Sequence, residues 1–199
     1  MKKQKLGILG GTFNPVHFGH LIIAEYLREE LGLTEVRFLP AKIHALKDNR
    51  EIAPAKARLE MLQLATAGNP HFTVDDRELE REGTSYTVDT LEEMWHEYDR
   101  ETTEIYFIIG QDNLATLNQW KAPEKIAQLC RLVVACRPGY QRMELDVPWW
   151  RELLWVKTPQ IEISSTDIRK RIREGRSLRY LLPESVIAYI YNNFPYGGA

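Results

Sequence analysis

The sequence predicts an α/β fold: a Rossmann-like, doubly wound and mainly parallel sheet with a helical C-terminal end. Three observations predict it. Short apolar runs of strand length alternate along the chain with amphipathic stretches of helix length. The first two runs, Leu6–Leu9 and Glu35–Leu39, are separated by a complete helical pattern, which makes them parallel neighbours joined by a right-handed crossover. Several later runs, above all Glu-Ile-Tyr-Phe-Ile-Ile at 104–109, are apolar on both faces, as strands covered on both sides are.

Each element follows from its pattern. A helix over Gly19 to about Leu31 carries Leu21, Ile22, Ala24, Leu27 and Leu31 on one side and ends at Gly32. Pro40 stops the second strand, and the polar stretch from Ala41 to Glu51 reads as a loop. Pro54 suits the first turn of a helix running to about Ala67. Phe72–Val74 is a short strand, and Thr87 to about Tyr98 a helix with Val88, Leu91, Met94 and Trp95 at helical spacing. Pro123–Leu129 reads as a helix and Arg131–Cys136 as a buried strand. Residues 140–152 are irregular around Pro148-Trp149-Trp150. Leu154–Val156 and Gln160–Ile163 are short strand candidates, and Thr166–Glu174 and Pro183–Asn193 are two closing helices. No repeat or linker divides the chain, so residues 1–199 read as a single domain.

Composition narrows the function. The chain of 199 residues has 26 basic and 28 acidic side chains, for a net charge of -2. That balance favours neither nucleic acid nor a membrane surface as partner. The Lys2–Leu9 start lacks the apolar core of a signal peptide, and no run is long enough to span a bilayer. Cys130 and Cys136 have no metal-site spacing and read as small hydrophobes of a buried strand in a reducing, cytoplasmic setting. Oligomeric state is not readable, and a homo-oligomer is left open.

The chemistry concentrates in Gly10-Gly11-Thr12-Phe13-Asn14-Pro15-Val16-His17-Phe18-Gly19-His20, directly after the first strand. Glycines at the carboxyl end of a parallel strand let backbone approach a phosphate, and the following helix start offers unpaired N–H groups. The stretch is neither a P-loop nor the GxGxxG dinucleotide fingerprint. His17 and His20, three apart, share one helical face and can point at one phosphate. Two histidines can also bind a metal, but a third ligand at fitting spacing is lacking, so no protein metal site is expected. Near the other end, Ile163-Ser164-Ser165-Thr166-Asp167-Ile168-Arg169 puts hydroxyls at a helix start and a guanidinium one turn inside. Taken alone, the same residues also make an ordinary N-cap with a solvated basic face.

GGTFNPVHFGHL resembles the (G)GTFDPxHxGH signature of the nucleotidyltransferase superfamily, and the second stretch resembles its ISSTxIR signature. Asn14 stands where aspartate is commoner. The central Gly83-Thr84-Ser85-Tyr86-Thr87-Val88-Asp89-Thr90-Leu91 is similar to the GxSYTxDTL motif of bacterial nicotinate mononucleotide adenylyltransferases. Gly110-Gln111-Asp112 with Trp120, Arg137-Pro138-Gly139 and the Tyr180–Pro183 tail match that family as well. Phosphopantetheine adenylyltransferases and glycerol-phosphate cytidylyltransferases share the HxGH theme but lack the central set.

The resemblance implies transfer of AMP from ATP to nicotinate mononucleotide, with deamido-NAD and pyrophosphate as products and Mg2+ accompanying ATP. It implies catalytic roles for His17, His20 and Arg169. It puts ATP against Gly10, Gly11, Thr12, Phe13, Gly19, His20, Gly110, Asp112, Ser164, Ser165, Thr166 and Arg169, with Asp112 on the ribose. It puts the mononucleotide against Lys47, Ser85, Tyr86, Thr87 and Trp120. A pyridinium ring suits the face of Trp120, and a carboxylate suits the helix start at Tyr86 and Thr87. The family's Pro-Pro-His-Lys stretch is altered: Lys47 keeps the lysine, Leu46 replaces the histidine, and His44 and Lys42 are lesser candidates. Adenylyl transfer to the amide mononucleotide or another phosphate, and a non-catalytic nucleotide sensor, are the alternatives.

Overall fold

The computed structural model describes residues 3–42, 52–136, 153–193 and 195–196. Six strands form one sheet: β1 (Gln4–Gly11), β2 (Glu35–Pro40), β3 (Phe72–Val74), β4 (Thr103–Gly110), β5 (Arg131–Cys136) and β6 (Leu154–Lys157). Their order is β3-β2-β1-β4-β5-β6 and every pairing is parallel, so the mainly parallel expectation becomes a wholly parallel sheet. The chain winds outward from β1 through β2 to β3, then returns to β4 on the other side of β1. β1 and β4 therefore diverge in connection at their carboxyl ends, where a doubly wound sheet opens a crevice.

The helices are α1 (Phe18–Leu31), α2 (Ala55–Thr66), α3 (Arg77–Glu80), α4 (Thr87–Glu97), α5 (Pro123–Leu129), α6 (Ser165–Arg173) and α7 (Glu184–Asn193). A run of 3-10 turns over Gln111–Gln119 follows β4. Side-chain alternation along the strands divides the core into two layers. Ile105, Phe107 and Ile109 of β4 pack with Leu91 and Met94 of α4 and Ile126 of α5. Tyr106 and Ile108 face the other way, with Leu27 of α1, Met61 of α2, Ile168 of α6 and Val186 of α7. Both faces of the central strand are thus covered, which explains its unbroken apolar run.

Two sequence expectations fail. Gln160–Ile163 is not a strand. β6 ends at Lys157, and Pro159 has no N–H to extend a ladder, so Ile161 and Ile163 serve a connection instead. Cys130 caps α5 rather than lying in a strand, while Cys136 ends β5 as expected. Both thiols are free, and burial pushes that of Cys130 up to about 12. The turns of Gln111–Gln119 and the short α3 carry no sustained period, which is why periodicity missed them. No helix among the described residues is long and apolar enough to cross a membrane.

Candidate active site

At the carboxyl end of β1 the sheet meets a turn built for close approach. A Cβ on Gly10 would lie 3.1 Å from the Phe107 ring, and one on Gly11 would lie 3.1 Å from the Phe13 ring. The glycines therefore make room for two aromatic side chains as well as for a ligand. Phe13 adopts a left-handed φ of 47° and is buried, packing edge-on against His20 at 5.1 Å and tilted against Phe38 at 5.8 Å. The Thr12 hydroxyl is buried and has no hydrogen-bond partner among the described residues.

The two histidines are held as a pair at the start of α1. The His17 backbone N–H donates to His20 Nδ1 at 3.2 Å, and the rings stack at 3.7 Å. With Nδ1 accepting, the proton of a neutral His20 ring sits on Nε2. His17 is 6% exposed, and its Nδ1 is buried without a hydrogen-bond partner among the described residues. Burial lowers its pKa from 6.5 to about 4, so near neutral pH it acts as an uncharged imidazole. Gly19 explains the spacing: a Cβ there would lie 3.0 Å from His17 Nδ1.

The ISST segment closes the opposite wall. Ser164 caps α6 by accepting from the Asp167 N–H at 3.1 Å. The Ser165 hydroxyl donates to the Pro15 carbonyl at 2.9 Å, and Arg169 Nη1 donates to the Asn14 carbonyl at 2.9 Å. These residues thus brace the signature turn in addition to facing the cleft. The Asn14 side-chain oxygen accepts from the Ala53 N–H at 3.0 Å. An aspartate at this position would offer the same acceptor, so the departure at Asn14 preserves that bond.

Two clefts meet here. The larger, about 580 Å³, is bounded by Gly10, Gly11, Thr12 and Phe13 from the turn and by His17, Gly19 and His20 from α1. Gly110 at the end of β4 and Asp112 in the 3-10 turns after it close one side, and Ser164, the N-cap of α6, with Ser165, Thr166 and Arg169 of that helix closes another. The smaller, about 270 Å³, is bounded by Ser85, Tyr86, Thr87 and Trp120. Gly10, Gly11 and Asn113 line both. Every described residue expected from the sequence, the lesser candidate Lys42 excepted, therefore lines one cleft or the other. Lys47, Leu46, His44 and Arg137-Pro138-Gly139 lie outside the described residues. Lys42 donates from Nζ to the Arg81 carbonyl at 3.1 Å, and lines neither cleft.

In the smaller cleft, Tyr86 is the N-cap of α4, so the Thr87 and Val88 N–H groups stand at a helix start with no intrahelical acceptor. Trp120 meets Phe107 edge-on at 6.2 Å. Lys121 sits 5.0 Å from the Tyr86 ring centre while pairing with Asp89 at 2.7 Å. Glu78 is buried in the wall, accepting from the Thr90 hydroxyl at 2.7 Å, and burial pushes its pKa up. Sequence reasoning missed Glu78, Asn113, Gln119 and Lys121 here, and Thr158, Pro159 and Ile161 in the larger cleft. Only the Ile161/Ile163 alternation left a signal, and it was read as a strand.

Comparison with known proteins gives the same direction. The cytidylyltransferase-like family model matches residues 8–171. A protein of Lachnoclostridium phytofermentans named "Probable nicotinate-nucleotide adenylyltransferase" is 42% identical over 94% of this chain and 96% of its own length. One of the same name from Thermomicrobium roseum is 46% identical over 94% of this chain and 89% of its own. The fold matches that of the Plasmodium falciparum nicotinic acid mononucleotide adenylyltransferase complexed with NaAD, with a TM-score of 0.73 at 16% identity over 98% of each chain.

The His17 environment makes stability depend on pH. An unfolded histidine near 6.5 binds its proton before the buried ring does near 4, so folding loses stability as pH falls from 6.5 to 4. The loss is on the order of 3 kcal/mol. Denaturant midpoints from pH 7 to pH 4.5 should fall more steeply for the natural chain than for His17→Asn; equal slopes contradict the assignment.

Proposed function

The chain belongs to the cytidylyltransferase-like family, and from its joined clefts we propose that it is a nicotinate-nucleotide adenylyltransferase. It moves the adenylyl group of ATP onto the phosphate of nicotinate mononucleotide, yielding deamido-NAD and pyrophosphate in NAD biosynthesis. The observation that carries this reading is the shared wall: two ligand-sized clefts open onto one glycine turn at the β1–β4 crevice. A transfer between two nucleotides needs such a meeting point.

In this reading ATP takes the larger cleft, with its ribose on Asp112. The α-phosphate lies over the Thr12–Phe13 turn beside the His17–His20 pair, and the β- and γ-phosphates face Ser164–Thr166 and Arg169. The mononucleotide takes the smaller cleft, its pyridinium against Trp120 and its carboxylate at the Thr87 and Val88 N–H groups. An acceptor phosphate oxygen attacks the α-phosphorus, the bond to the β-phosphate oxygen breaks, and pyrophosphate leaves. The acceptor is already anionic, so alignment and neutralisation of phosphate charge do the work, and neutral His17 serves as a hydrogen-bonding contact.

Mg2+ enters with ATP in this proposal. Among the described residues no group of three or more His, Cys, Asp or Glu is placed to hold a metal ion. The phosphate oxygens of the nucleotide suit it, and bound there it offsets their charge. Free thiols and use of ATP agree with a cytoplasmic setting.

The deciding assay offers ATP with each acceptor and follows pyrophosphate. The acid mononucleotide should be turned over with the higher kcat/KM; equal or better turnover of the amide overturns the carboxylate assignment. Trp120→Ala should raise KM for the mononucleotide about tenfold with little change for ATP. Gly19→Ala favours helix α1 by roughly 0.5–1 kcal/mol yet crowds His17. Its melting temperature should hold while kcat falls about tenfold or more; an unimpaired kcat would show that the His17 ring yields without cost.

A further inference from the structure

Arg58, on the first turn of α2, is 1% exposed, yet among the described residues none of its hydrogen bonds goes to a carboxylate. Its fork is spent on backbone carbonyls: Nη1 donates to Thr12 at 2.8 Å, Nε to Ala53 at 3.1 Å and Nη2 to Lys42 at 3.4 Å. Tyr196 stands near it, but burial holds that phenol far above its ordinary pKa, so it supplies no countercharge. A buried cation without an anionic partner is costly, and carbonyl dipoles offset only part of the cost. The arrangement is justified when it orders something that must be held.

What it orders is specific. Thr12 belongs to the turn assigned to the α-phosphate; Lys42 follows Ala41, which lines the smaller, acceptor cleft, and Ala53 follows Ile52, which lines the larger one. The same strands of chain are strapped twice more, by the Ala53 N–H to Asn14 Oδ1 and by the Ala41 N–H to the Gly11 carbonyl at 3.0 Å. We propose that Arg58 is a positioning residue for adenylyl transfer, clamping the α-phosphate turn to backbone beside both clefts so that attacking oxygen and phosphorus are held in line. The proposal rests on the adenylyl-transfer reading above. Arg58 lines neither cleft, so it acts through the Thr12, Lys42 and Ala53 carbonyls rather than on substrate.

The test compares the natural chain with Arg58→Lys, which keeps the charge but cannot reach all three carbonyls at once, and with Arg58→Ala plus millimolar guanidinium. Initial rates with ATP and nicotinate mononucleotide are measured beside melting temperatures. Misalignment should lower kcat by about ten- to a hundredfold in Arg58→Lys, with each KM changed less than about threefold. Guanidinium should restore kcat of Arg58→Ala saturably and leave the natural chain unaffected. A folded Arg58→Lys with unchanged kcat, or a loss confined to melting temperature, overturns the proposal alone. A natural chain that releases no pyrophosphate overturns the adenylyl-transfer reading, and this proposal with it.

Discussion

Everything at this site depends on where the carbonyls of one turn point. A turn whose N–H groups face an anion must direct its carbonyls elsewhere, and buried carbonyls need donors. Here the Thr12, Asn14 and Pro15 carbonyls are taken by Arg58, Arg169 and Ser165, which are 46, 155 and 150 residues away in sequence. The Phe18 N–H, at the start of α1, donates in turn to the Leu181 carbonyl at 3.0 Å. The signature turn is thus held from behind by the middle and the end of the chain.

That bracing reconciles the wholly parallel sheet with a two-substrate site. The order β3-β2-β1-β4-β5-β6 opens its crevice between β1 and β4, and the clefts lie on either side of the Gly10-Gly11 end of β1. One cleft is closed by α1 and α6, the other by the start of α4 and the residues around Trp120. Helix starts recur because they supply N–H groups toward anions without requiring a buried charge. The charge buried at Arg58 is spent on backbone.

Much of this was legible in the residues. The patterns located all six strands and the long helices to within a residue or two, because burial on one or both faces imposes them. The glycine turn, the paired histidines and the ISST segment were legible as short motifs, and the structure brings all three to one cleft. Residues 160–163 misled because alternation alone cannot distinguish a strand from the extended wall of a cleft. Glu78 and Lys121 were not legible: a lone charged residue carries no period, and its neighbours come from other elements. The dual engagement of Ser165 and Arg169 was hidden for the same reason, since the carbonyls they hold lie at the opposite end of the chain.

The sequence by itself determined the α/β class, the order of the elements, the family and the residue types available to two nucleotides. These are local properties, set by burial periods, turn chemistry and short motifs. Only the tertiary structure decided that both clefts share the wall of Gly10, Gly11 and Asn113, that His17 is buried and uncharged, and that Arg58 is spent on carbonyls. Those outcomes depend on which distant groups exclude water from one another, and that is settled when the sheet closes and its helices pack.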